Sequence, residues 1–150
     1  MPSFSNTRTA VINADTAAIH ALINDFHKWE GWSPWEKLDP QIKRTYSGAA
    51  EGVGAFYAWE GNKKVGQGSM EITSSTPSQI ELDLKFIVPF EADNKTTFTL
   101  TPAGTGTEVA WTMSGERNIL FAVMGKLFFD KAIGKDFDKG LASLKELAEQ

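Results

Sequence analysis

Two periodicities divide this chain. Towards the C-terminus, Ile133, Phe137, Leu141, Leu144 and Ala148 recur at helical spacing, sharing one face at about 100° per residue. Lys135, Asp138, Lys139, Lys145, Glu146 and Glu149 take the other face, as on a helix packed against a core. Gly134 and Gly140 lie on or beside the stripe, where a kink or a close neighbour would account for two poor helix formers. Carried backwards, the same register turns Phe121, Met124 and Phe128 away and brings Lys126 and Asp130 onto the stripe. The pattern therefore predicts two helical pieces, 118–129 and 131–149, meeting at a bend.

Through the middle of the chain the period is two. Ile80, Leu82, Leu84, Phe86 and Val88 alternate with Glu81, Asp83, Lys85 and Ile87, a strand with one apolar face and one mostly wet face. Pro89 ends that strand or places it at an edge. Before it, Ile42–Ser47, Val53–Glu60 and Val65–Ser74 read as strands, separated by glycine-rich turns and closed by Pro77. After it come Thr97–Thr101 and a last strand with Val109, Trp111 and Met113 on one face. A mostly polar first strand, Phe4–Ile12, precedes them all. Between the first and second strands, Asn13 or Asp15 supplies a capping oxygen for a helix beginning near Thr16. Ile19, Leu22, Ile23 and Phe26 give that helix one buried face. A short second helix over 26–31 gives way at Gly31 and Pro34 to an irregular loop. Trp29, Trp32 and Trp35 crowd this stretch and need cover.

Strands in a run, flanked by helices, define an α+β fold: a seven-stranded antiparallel sheet, curved around the C-terminal helix, with residues 15–35 closing one end. A lipocalin-type barrel is the rival, but the helix at 15–25 interrupts it. A cone-shaped fold with only N-terminal helices is another, and the C-terminal stripe counts against it. The 150 residues make one domain, 1–150, long enough to bury a sizeable core. A net charge of −4 opposes binding to a phosphate backbone, which takes clustered Lys and Arg, so no nucleic-acid partner is expected. The absence of cysteine excludes disulfides and thiolate chemistry and suits a cytoplasmic location. The first ten residues lack the order of a signal peptide, and no apolar run reaches the ~18 residues of a membrane span.

Candidate chemistry is sparse. His20 and His27 would share a face on an unbroken helix, but no further ligand completes a metal site; neither metal nor cofactor is expected. Gly66-Gln67-Gly68-Ser69 lacks the spacing of a serine-nucleophile elbow. Its glycines, with those of Glu51-Gly52-Val53-Gly54, read as turns, bulges or room for a ligand. Glu60 follows Trp59 and points outward if Trp59 points inward. Arg44 and Glu36 are candidates for a cavity rim, and Tyr57 for a phenol turned towards a ligand. No pair nominates itself as the acid and base of an enzyme, so no catalytic residue is assigned.

Several stretches together resemble a known family. Val11-Ile12 before a helix, then Asp25-Phe26-x-x-Trp29-x-x-Trp32-x-Pro34-Trp35, is similar to the entry region of the SRPBCC superfamily. That superfamily includes START-like lipid-binding domains, polyketide cyclase/dehydrase proteins and the birch-pollen-allergen fold. Glu36-Lys37-Leu38-Asp39-Pro40, Tyr57-Ala58-Trp59-Glu60-Gly61-Asn62, Trp111-x-Met113-x-Gly115 and Gly134-Lys135-Asp136-Phe137-x-x-Gly140-Leu141 resemble a bacterial branch of it. The resemblance implies a helix-grip fold with a cavity between sheet and C-terminal helix. It implies a hydrophobic or aromatic small-molecule partner, lipid-, quinone- or polyketide-like. A polyketide cyclase/dehydrase-type enzyme in the same pocket is the alternative, and a protein-interaction domain resembling Hsp90-activator-type proteins is a second. The family name does not decide among these, because a fold does not imply a function.

Residues expected to line the cavity follow from strand faces. Tyr57, Trp59, Met70, Phe86, Phe98, Trp111 and Met113 point to one interior, and Ile133 and Phe137 face them from the helix. Trp32 and Trp35 are expected at the mouth. With five Trp, two Tyr and ten Phe in the chain, these rings also suffice to fill a solid core.

Overall fold

The computed structural model describes residues 3–33, 41–61, 66–88, 92–116 and 135–149. The expected helical piece 118–129, and Glu36, Trp35, Ile133 and Gly134, lie outside these residues. Seven strands form one antiparallel sheet: β1 Ser3–Ile12, β2 Lys43–Gly48, β3 Ala55–Glu60, β4 Gln67–Thr76, β5 Gln79–Val88, β6 Ala92–Ala103 and β7 Gly106–Glu116. Their order is β1-β7-β6-β5-β4-β3-β2, so β2 to β7 run as a meander and the first strand adds beside the last. Register shifts in β4 against β5, at Gln67/Gly68 and Ile72/Ser74, mark bulges. Bulges bend the strand that carries them and sharpen its twist, which helps the sheet curl.

The strand pattern holds, with one correction. β6 begins at Ala92, not Thr97, and ends at Ala103. Asp93, Asn94 and Lys95 are weak strand formers, but β5 pairs with them on one side and β7 pairs from Asn94 on the other.

Helix α1 spans Thr16–Asn24, with Ile19 and Ile23 fully buried beneath it. Asp15 occupies its N-cap position, but the expected capping bond is absent: the Asp15 side chain makes none. At the other end the chain supplies an unusual cap. Trp29 Nε1 donates to Ile23 O at 2.8 Å, and Trp32 Nε1 donates to Leu22 O at 3.0 Å. Two carbonyls of the last turn, which have no partner within a helix, are thus satisfied by indoles from the 3₁₀ helix Phe26–Gly31 and the residue after it. Asp25 caps that 3₁₀ helix, accepting from the His27 backbone N–H at 2.9 Å.

The C-terminal helix, α2, is described over 135–148. Its stripe lies as its periodicity predicts, with Phe137, Leu141 and Leu144 buried and Lys135, Asp138, Lys139, Lys145 and Glu146 exposed. Gly31 sits where a Cβ would come within 3.0 Å of Leu147, which lets the 3₁₀ helix approach α2 closely. At the far end of α2, Glu149 accepts from the Asn13 backbone N–H at 2.8 Å and pairs with Lys145. An ion pair between Arg8 and Asp138, 3.5 Å apart, joins β1 to the same helix.

Candidate functional site

Strand alternation and register place the side chains of the concave face in rows. One row crosses Trp111 on β7, Phe98 on β6 and Ile80 on β5. The next crosses Met113, Thr96, Leu82 and Ile72, and a third crosses Gly115, Asn94, Leu84, Met70, Tyr57 and Tyr46. A fourth contains Phe86, Gly68, Trp59 and Arg44.

At the α1 end the rings fill the space. Phe98 stacks on Trp111 with centroids 4.9 Å apart, and Trp111 stacks on Phe137 of α2 at 4.1 Å and 9°. Trp29 and Trp32 meet each other at 4.6 Å and stand edge-on to Phe98 and Trp111. Rings at these separations are in contact and leave no room for a ligand between them. Trp32, expected at the mouth, is instead 2% exposed. The buried hydroxyl here is satisfied: Thr107 donates to Ala14 O at 3.0 Å and meets Thr16 Oγ1 at 3.0 Å.

Towards the opposite end the face loosens. Trp59, Met70, Leu84 and Phe86 are only half-buried, although they lie on the concave side of β3, β4 and β5, each paired on both edges. Trp59 stands edge-on to Phe86 at 6.0 Å and lies nearly parallel to Tyr57 at 6.2 Å. Its indole covers Gly68, where an added Cβ would come within 2.6 Å of the ring and 2.4 Å of Lys85 O. Of the readings open for this glycine, the register shift at Gln67/Gly68 marks a bulge, and Trp59 occupies the room a ligand would need. Glu60 is exposed on the other side of β3.

The polar residues of this end divide. Arg44, beside Trp59 across the β2–β3 ladder, pairs with Glu30 at 3.4 Å. Asn94 and Thr96, which the short reading of β6 missed, are 7% and 3% exposed. Asn94 Oδ1 and Thr96 Oγ1 have no hydrogen-bond partner among the described residues. The signal for them was alternation: Asn94 and Thr96 continue the inward set of Phe98 and Leu100, while Asp93 and Lys95 are exposed.

The histidines do not converge. His20 Nε2 lies 3.3 Å from Ser75 Oγ, whereas His27 stacks on Tyr46 at 4.0 Å and pairs with Asp25 at 2.9 Å. Among the described residues no group of three or more His, Asp or Glu is arranged to hold a metal ion. No described helix is long and apolar enough to cross a membrane. A groove beside β2, lined by Phe26, His27, Tyr46 and Phe56 among others, has a volume of about 150 Å³. Drug-sized ligands take about 300 Å³ or more, so the groove is too small to be their site.

Of the residues expected to line a cavity, Trp32, Phe98, Trp111 and Phe137 therefore belong to the packed end. Tyr57, Trp59, Met70 and Phe86 come together at the looser end, and Met113, 1% exposed, lies between.

A seven-stranded curved sheet holding a C-terminal helix on its concave face, with short helices after the first strand, is the helix-grip arrangement. The chain belongs to the family described as polyketide cyclase / dehydrase and lipid transport, whose model matches residues 3–149. No curated protein matches it in sequence. Among solved structures it is similar to protein CV1439 from Chromobacterium violaceum, at 14% identity and TM-score 0.71, covering 97% of each chain. The Aha1 dimer from Colwellia psychrerythraea matches at 17% identity and TM-score 0.70, over 97% of this chain and 96% of that one. The di-domain ARO/CYC protein BexL of the BE-7585A biosynthetic pathway matches at 15% identity and TM-score 0.74, over 99% of this chain and 50% of that one. At these identities the likeness is one of fold.

Proposed function

We propose that the protein binds a neutral hydrophobic or aromatic small molecule against the looser end of its concave face, at Tyr57, Trp59, Met70, Leu84 and Phe86. One observation carries this reading: Trp59, Met70, Leu84 and Phe86 are half-buried on the inner face of β3, β4 and β5, where a filled core would cover them. Clustered apolar surface in a concavity, with a few placed polar groups, is the usual composition of a small-molecule site. The family's description, which includes lipid transport, agrees with it.

The charge pattern favours a binder over a cyclase. On β5, β6 and β7 the described concave-face side chains include no ionisable group; elsewhere on the face Arg8 is paired with Asp138 and Arg44 with Glu30, and Tyr46 and Tyr57 contribute phenols. Proton transfer needs a titratable group within hydrogen-bond reach of the substrate. A charged ligand would leave its ion poorly solvated on such a face. Titration with flavonoid, quinone, sterol and fatty-acid probes, followed by tryptophan fluorescence, should give saturable binding of at least one neutral planar probe. The absence of saturation across all four classes overturns the reading.

A further inference from the structure

We propose that Asn94 and Thr96 form the polar anchor of this site and select ligands that carry a hydroxyl hydrogen-bond donor. The proposal rests on the ligand-binding reading above and specifies the chemistry the ligand must bring. Both residues sit on the concave face of β6 two positions apart, and each is more than nine-tenths buried. Buried polar atoms in native proteins are nearly always hydrogen-bonded, and those that are not call for an explanation. Asn94 Oδ1 and Thr96 Oγ1 lack a partner among the described residues, whereas buried Thr107 on the same face has two. The contrast sets these two apart from an ordinary buried threonine.

The surroundings define the occupant. Asn94 lies between Leu84 on β5 and Gly115 on β7, and Thr96 lies between Leu82 and Met113. Gly115 adds no side chain, so beside Asn94 the β7 surface is bare backbone. Leu84 and Met70, next along the row, are half-buried apolar residues. An amide oxygen accepts, and a threonine hydroxyl both donates and accepts. A single ligand hydroxyl therefore suits the pair: it donates to Asn94 Oδ1 and accepts from the Thr96 hydroxyl. An ether in the same place keeps the acceptor and loses the donor. It leaves the amide oxygen unpaired, the kind of loss by which polar sites discriminate most strongly.

The test uses β-naphthol and its methyl ether with the full-length wild type, Asn94→Leu and Thr96→Val, reading Kd from tryptophan fluorescence and amide shifts. The naphthol should bind wild type about tenfold or more tightly than the ether; Asn94→Leu should bring the ratio close to one, and Thr96→Val should weaken both compounds, since each accepts from the Thr96 hydroxyl. Without ligand, Thr96→Val should keep or raise Tm, because an apolar group of the same shape replaces an unsatisfied hydroxyl. A fall in Tm for Thr96→Val means that the hydroxyl serves the fold, and overturns the proposal. Equal binding of the two compounds to wild type overturns it while leaving the binding site intact. Failure of both compounds to bind overturns the proposal, and failure of the four probe classes as well removes the site with it.

Discussion

The two ends of the concave face are built from the same residue types to different effect. At the α1 end, Phe98, Trp111 and Phe137 stack continuously from sheet to helix, and the fully buried hydroxyl of Thr107 has two partners. At the other end, Trp59 and Phe86 touch edge-on, neighbouring apolar groups are half-buried, and two buried polar atoms are unanswered among the described residues. Aromatic content alone does not make a pocket. What separates the two ends is how completely the rings and apolar groups are covered within the chain.

The largest effect that tests this contrast is at the packed end. Phe137→Ala should cost about 3–5 kcal/mol in a denaturant titration, as truncating a buried aromatic does. A loss below ~1 kcal/mol would mean that the stack with Trp111 leaves slack, and the two ends would no longer differ. At the looser end, Gly68→Ala forces a Cβ against Lys85 O and the Trp59 ring, for an expected loss of about 1–3 kcal/mol. It should also shift the Trp59 indole N–H resonance, and an unmoved resonance would place the strain elsewhere.

A paired experiment sharpens the comparison. Trp59→Leu should weaken binding of a neutral planar probe by about 1–3 kcal/mol through lost burial. Trp111→Leu should lower Tm and leave Kd within about twofold, since its ring is occupied by Phe98 and Phe137. Reversed results would move the site to the α1 end.

The smallest effect concerns the tie beside the packed end. The hydrogen bond from Lys145, then the one from the Asn13 backbone N–H, holds the Glu149 carboxyl below its ordinary value of 4.5. A carboxylate lowered on folding contributes stability that is present above its unfolded pKa and lost as pH falls through the folded one. The Asn13 amide resonance should therefore titrate with a midpoint below 4.5. A midpoint at or above that value would show the contact to be absent in solution.

Much of this was legible in the chain because it is periodic. The stripe Phe137, Leu141 and Leu144 repeats at helical spacing, and Ile80 and Leu82 alternate, so each residue's face follows from its neighbours. Trp32 was not legible. It follows an irregular helix, and only the tertiary fold brings its N–H to Leu22 O. The start of β6 was missed because Asp93-Asn94-Lys95 looks like a turn until β5 is placed beside it. The candidate anchor was lost with it, since a buried Asn carries a signal only once its strand is known.

The pairing of the first strand with the last has a consequence in time. Ile12 meets Thr107 and Ser3 meets Glu116, contacts that close almost the whole described sheet into one loop. The hairpins of β2 to β7 form between sequence neighbours, whereas β1 leaves the ribosome first and has no partner until the chain has been made past β7. Loop closure on that scale is slow, so the meander should assemble first and β1 should dock last. Until it docks, β7 is an open edge carrying Trp111 and Met113, a stretch of the nascent protein that needs cover.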